Sequence, residues 1–323
     1  MKNLNLTFLL LFSILTLSLT GCEGCNSKKE VGGAKATDAK KPEVKKAEEK
    51  KDIKLPEAPA ELVKAIFKEL DNQDPRIVWK ALPASYQKDI NGLVSNFAQK
   101  MDKDLWNKGF VIFSKITDVA KDKKDFIMGN EMVKQQIKVQ DKQNMVKGWD
   151  GAVVALKFLA TCELSKLENL TSFDGAKFLD SMMAGVAKID KKDLDMIKEL
   201  TMAYAADEKT KDSKLSDIKV EEVKADGKSA TLKITAPGEE PQNIDFVLLE
   251  GRWVPAEITR EWAKMIEEAK GGIAQVSGDE MTKNKPQILA MMAAVESGVD
   301  QLLNAKTQKE FDQIIMSLMQ SMR

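Results

Sequence analysis

Along most of this chain apolar residues recur at three- and four-residue spacing, but between residues 218 and 257 the period drops to two. A chain that changes period in this way has to pack amphipathic helices against a small sheet. Leu62, Val63, Ile66, Phe67 and Leu70 predict a helix over residues 59–72. Asp74-Pro75 offers an N-cap and a first-turn proline to a short helix with Ile77, Val78, Trp79 and Leu82 inward, and Pro83 interrupts it. Tyr86, Ile90, Leu93, Val94, Phe97 and Met101 form the next stripe. Asp102 then caps a helix that buries Leu105, Trp106, Phe110, Phe113 and Ile116. Further helices are predicted over 125–139, 146–168, 174–188 and 191–205.

In the period-two stretch, Ala230, Leu232 and Ile234 alternate with Thr231, Lys233 and Thr235, the pattern of a half-buried strand. Asp226-Gly227 signals a hairpin and Pro237-Gly238 a second turn. Ile244, Phe246 and Leu248 mark the next strand, and Glu250-Gly251 turns into a short one holding Trp253 and Val254. Pro255 precedes a helix with Ile258, Trp262, Ile266 and Ala269 inward. Gly271-Gly272 and Ser277-Gly278 read as a hinge, and Pro286 as the start of a helix reaching Asn304. Thr307 and Glu310 have capping-box spacing ahead of a last helix that runs to Arg323. The expected fold class is α+β, mostly helical, with an antiparallel meander of three or four strands followed by C-terminal helices.

Ahead of this region the chain is of two other kinds. Leu6 to Leu19 is almost wholly apolar, and its roughly fourteen residues span ~21 Å as a helix, short of a ~30 Å hydrocarbon core. That length suits the core of a signal peptide. Residues 26–55 are rich in lysine, glutamate, alanine and glycine and hold no aromatic residue. Such a stretch buries too little apolar area to offset its ordering entropy and reads as a linker, with a reach of roughly 30 Å. The organisation expected is a signal peptide over 1–21, a tether over 22–55, a helical and sheet domain over 56–275, and a C-terminal helical pair over 276–323.

Composition narrows the chemistry. Of 323 residues none is histidine, which removes the commonest general base and transition-metal ligand. Of three cysteines only Cys162 lies in the expected domain, so a thiolate zinc cluster within one chain is excluded. Lysine plus arginine equals aspartate plus glutamate at 50 each, a balance that argues against a nucleic-acid binder. No phosphate-cradling loop or nucleophile elbow is present, and a serine triad lacks its base. Cys162 reads as an inert thiol in mid-helix. Asp71, Asp74, Glu163 and Asp180 are candidates for paired-carboxylate hydrolysis, each more simply placed on a solvated face. Asp122, Asp125, Glu131 and Asp141 lack calcium-loop spacing. No cofactor, metal or catalytic residue is expected. Methionines occupy helical stripes at Met182-Met183, at Met291-Met292, and at Met316, Met319 and Met322. In the last helix, Phe311, Ile315, Leu318, Met319 and Met322 make a stripe that could dock a partner.

Three resemblances add to this. Leu19-Thr20-Gly21-Cys22 resembles the lipobox of bacterial lipoproteins, with threonine where alanine or serine is usual. The resemblance implies cleavage before Cys22, a diacylglycerol on its thiol and an acylated new amino terminus. Glu23, in place of aspartate, leans toward the outer membrane. Cys25 reads most simply as an ordinary tether residue, the alternatives being a free thiol, a disulfide partner for another chain and a second modification site. The segment from Ala60 to Ile90, with its "W-x-x-L-P" run, is similar to the opening helices of NTF2-like envelope domains, and Gly251-Arg252-Trp253-Val254 resembles that fold's closing strand. It implies a curved sheet with a helix-covered pocket, and departs by about a hundred intervening helical residues. As a whole the chain resembles lipoproteins of planctomycete-like bacteria. The resulting expectation is an envelope protein held on a bilayer through acylated Cys22, acting as a non-catalytic module that binds a protein or small ligand. The alternatives are an envelope hydrolase using paired carboxylates and a purely structural component.

Overall fold

The computed structural model describes residues 54–136, 139–204, 214–276 and 279–321. Cys22, Cys25, the lipobox, the tether up to Ile53 and Met322 lie outside the described residues.

The chain enters through α1 (Pro59–Asp71), opened by a proline that cannot offer the amide a first turn wastes, with Leu62, Val63, Phe67 and Leu70 on its buried face. A sharp corner leads to α2 (Arg76–Ala81), where the Asp74 carboxylate accepts the Arg76 amide at 3.1 Å. Pro83 then separates it from α3 (Ala84–Lys100). Asp102 caps α4 (Lys103–Asp122) by accepting the amides of Asp104 and Leu105, as its position predicts. The segment predicted as one helix over 125–139 is broken: α5 (Lys124–Gly129) ends at Asn130, whose side chain caps α6 (Glu131–Gln136) through the amides of Met132 and Val133. α7 (Val139–Thr161) stops short of Cys162, which opens a single 3-10 turn (Glu163–Ser165) instead of lying in mid-helix. Next come α8 (Leu167–Thr171), α9 (Gly175–Val186) and α10 (Lys191–Tyr204).

The period-two stretch forms a four-stranded antiparallel meander, β1 (Lys219–Ala225), β2 (Ser229–Thr235), β3 (Gln242–Leu249) and β4 (Arg252–Pro255), in chain order. Its turns are local chemistry. At Asp226-Gly227, Gly227 takes φ +82°, and the Asp226 carboxylate accepts from the Ser229 hydroxyl and from the amides of Ser229 and Lys228. These bonds pull its pKa down to about 2. Glu250 and Gly251 both have positive φ, the signature of a two-residue hairpin whose twist matches its strands. α11 (Ala256–Val276), α12 (Asp279–Asn304) and α13 (Gln308–Ser321) complete the chain.

Among the described residues three buried clusters organise these elements, one of them joining α3 to α8 through Ala98, Leu167 and Leu170, and the other two tying in the ends of the fold. In the first, α1 lies on the sheet: Leu62, Val63 and Phe67 pack with Val220, Leu232, Phe246 and Trp253, and the Trp253 indole donates to the Glu57 carbonyl at 2.8 Å. The opening helix and the late strands thus close on each other across the whole helical middle. In the second, Val119 of α4 packs with Val299, Leu302, Ala305 and Phe311 of the C-terminal helices.

Three further sequence expectations need correction. Gly271 and Gly272 are helical residues of α11, so no hinge interrupts the chain there; Ser277 and Gly278 lie outside the described residues. Pro286 sits inside α12, not at its start. It removes one intrahelical amide. The pair over 276–323 is not a separate unit, because its apolar stripe completes the core around α4.

Candidate functional site

Each of the four carboxylates singled out for hydrolysis has a structural partner or an open position. Asp71 accepts the amides of Leu215 and Ser216, both at 2.8 Å, and so caps the 3-10 turn that precedes the sheet. Glu163 is exposed. Asp74 and Asp180, over a hundred residues apart, meet at Arg76: the guanidinium donates to Asp74 at 2.6 and 2.7 Å and to Asp180 at 3.3 Å. The hydrogen bond that Arg76 donates to Asp74 is the main cause of an Arg76 pKa held above its already high ordinary value. A hydrolytic pair needs one carboxyl that keeps its proton, which calls for an apolar or anionic setting. Here a fixed cation lies between the two, so the cluster is a cross-link of α2 to α9.

Two further carboxylate pairs repeat the arrangement. Lys285 bridges Asp102 and Asp104 at 2.8 and 2.7 Å. Glu296 receives Lys108 and Lys115, and Lys115 also reaches Asp300 at 2.7 Å. At the far end the Lys123 ammonium donates to the Ala305 carbonyl at 2.7 Å. Partners advance together along both helices, so α12 runs parallel to α4. Buried Leu105, Ile112 and Val119 recur every seven residues on α4, as do Lys108 and Lys115. That is coiled-coil spacing, with an apolar seam flanked by ion pairs. It was legible in the sequence as two interleaved seven-residue repeats.

Cys162 is half-buried, its thiol donating to the Leu159 carbonyl at 3.3 Å, and burial pushes its pKa up. It lacks the thiolate character a nucleophile needs. Among the described residues, no group of three histidines, cysteines, aspartates or glutamates could hold a metal ion.

The proposed docking stripe of the last helix is largely consumed inside the molecule. Phe311 is 2% exposed, and Ile315 and Leu318 pack against the buried cluster it forms with Val119, Val299, Leu302 and Ala305. Gly298 makes this possible: a methyl there would overlap the Leu318 side chain. Of the stripe only Met319 is exposed among the described residues. The accessible surface lies elsewhere on the same two helices, at Met291 (58% exposed) and Met316 (51%).

That outer surface carries almost no charge. From Gln287 to Asn304 the only ionisable residues are Glu296 and Asp300, both held by lysines of α4. From Phe311 to Ser321 the only one is Asp312, which accepts the side-chain amides of Asn130 and Gln308. In a chain where 31% of residues are charged, two surface helices facing water with alanine, methionine, serine and glutamine form the most distinctive exposed feature. Compared with protein-family models, with curated proteins and with solved structures, the chain matches none.

Proposed function

We propose that this protein is a lipid-anchored component of a bacterial cell envelope, whose folded part is a non-catalytic binding module displayed on a tether. The observation that carries this reading is Leu19-Thr20-Gly21-Cys22 at the point where the Leu6–Leu19 apolar run ends and the lysine-rich tether begins. Two or three acyl chains on Cys22, each buried methylene contributing ~0.8 kcal/mol, hold a protein on a bilayer without a protein span. Among the described residues no helix is long and apolar enough to cross a membrane. Glu23 favours the outer membrane.

The binding assignment draws on the site chemistry. The three carboxylate clusters each enclose a cation, and the one described thiol is pushed toward its protonated form. The uncharged outer surface of α12 and α13 is the part of the fold suited to a partner.

Metabolic labelling with a clickable palmitate analogue tests the anchor. The wild type takes up the label and partitions into detergent, and Cys22→Ala does neither. Equal labelling of the two, or a purified chain that still begins at Met1, would sink the lipoprotein reading.

A further inference from the structure

We propose that Met291, Met316 and Met319 form an oxidation site on the outer surface of α12 and α13, whose thioethers reduce hypohalous acid before it reaches the groups that hold the fold together. The inference goes beyond the binding-module reading and rests neither on it nor on the anchor.

Exposure singles these residues out. Met291 is 58% exposed, Met316 51% and Met319 38%, and every other methionine whose side chain is described is half-buried or buried. A methionine is ordinarily core filler, as Met182 is here at 9% exposed. The surroundings favour the same chemistry. Ala290, Ala294, Ser297, Gln313 and Ser317 are exposed on the same two helices, and their side chains are inert toward hypohalous acid. Lysine amines, which react with it more slowly, are absent between Gln287 and Asn304 and between Phe311 and Ser321. The thioethers are therefore the reactive groups of this surface. Cys162, the one described thiol, is half-buried with its hydrogen donated to the Leu159 carbonyl, and burial favours its protonated form. A thiol reacts chiefly as its thiolate, whereas a thioether has no proton to lose and reacts as its exposure allows.

The step balances. A sulfur lone pair takes the halogen from the acid and hydroxide leaves. Water then adds its oxygen to sulfur, halide leaves and two protons are released. Sulfur gains an S–O bond and loses two electrons, the halogen ends as halide, and the net yield is a sulfoxide, a halide and one proton. Location decides the consequence. A sulfoxide is polar, so it disrupts a core but is well placed in water. Met292, next in the chain to Met291, is half-buried, with its methyl carbon 3.7 Å from where a side chain at Gly109 of α4 would begin. Oxygen added there would enter the seam that holds α12 to α4. Met291 consumes the oxidant one residue away, on the open side, and methionine sulfoxide reductases reverse the change.

The test is a titration of the purified full chain with a few molar equivalents of hypochlorous acid, read by peptide mass spectrometry with fragment masses locating each added oxygen. Sulfoxide is expected at Met291, Met316 and Met319 at least ten-fold ahead of Met182 and Met292, with the Cys162 thiol intact and the melting temperature unchanged. Methionine sulfoxide reductase then restores the original mass. A second chain carrying Met291→Leu, Met316→Leu and Met319→Leu keeps the apolar volume without the thioethers. Its melting temperature matches the wild type before oxidant, and the same dose then oxidises Met292 and Cys162 and lowers that temperature. The order of oxidation in the wild type is read whatever the stability of this variant. Oxygen spread evenly over the methionines, a wild type that loses its cooperative melt once the three sulfoxides form, or a leucine variant that withstands the dose as the wild type does overturns the proposal.

Discussion

Single glycines show how closely the helices of this protein are fitted. At Gly151, on α7, a methyl would overlap the backbone carbonyl of Met196 on α10, and backbone cannot swing aside as a flexible side chain can. Gly92, inside α3, has nothing within 4 Å of where its methyl would be, and a methyl at Gly109 would meet only the Met292 side chain at an ordinary 3.7 Å. One substitution therefore has opposite signs. Gly151→Ala is expected to lose on the order of 2–3 kcal/mol by forcing two helices apart. Gly92→Ala is expected to gain up to ~1 kcal/mol, because alanine restricts the unfolded chain and costs nothing in the folded helix. Urea midpoints at constant slope measure both. A neutral Gly151→Ala would mean that α7 and α10 are not in backbone contact.

Between elements, the parallel seam of α4 and α12 combines buried apolar residues with carboxylates set beside lysines. The Lys108 ammonium, with Lys115 second, holds the Glu296 carboxyl below the usual glutamate range. A carboxylate depressed in the folded state stabilises above its unfolded value, and the contribution is lost as pH falls through the folded one. Glu296→Gln should thus lower the melting temperature at neutral pH, and its gap from the wild type should close as the pH drops below ~4.5, the ordinary glutamate value. High salt should narrow the gap at any pH. A gap that ignores both would assign the effect to packing. Most helices and the whole meander were legible in the sequence, because apolar period and turn residues are local properties. Gly271-Gly272 and Pro286 misled for a physical reason: propensity penalties of about 1 and 3 kcal/mol discourage a helix without forbidding one. The break at Asn130 was missed because an asparagine that caps a helix resembles any other asparagine until the chain turns. That most of the docking stripe is covered could not be read from periodicity, which identifies an apolar face but not what lies on it, and Phe311 turned out to lie in the buried cluster with Val119 and Leu302. The uncharged outer face could have been found by asking where charge is missing.

Across the whole molecule, the ends of the fold close onto distant elements. α1 completes the core of a sheet that begins at Lys219, and α12 and α13 complete the core around α4. Neither closure is a neighbour contact in sequence, so the chain cannot be cut into the segments its composition suggests. A chain ended at Val276 would bare Val119, Phe126 and Ile127, which pack with the C-terminal helices, and leave Lys108, Lys115, Asp102 and Asp104 without the partners they have in α12. Each large apolar side chain returned to water costs about 1.5–3 kcal/mol. Three of them approach the 5–15 kcal/mol by which a whole domain is stable. The truncated chain is therefore expected to bind a hydrophobic dye, to aggregate, and to lose the cooperative transition of the intact protein, with helix loss extending into α4. Circular dichroism melts of the two chains, read beside protease digestion, decide the matter. If residues 1–276 kept a sharp transition near the intact melting temperature, the C-terminal helices would be an accessory. The outer face of α12 would then be displayed by a detachable arm. If cooperativity is lost, any partner that engages that face pulls on the same core that holds α4 in place, and binding and stability become linked through one seam.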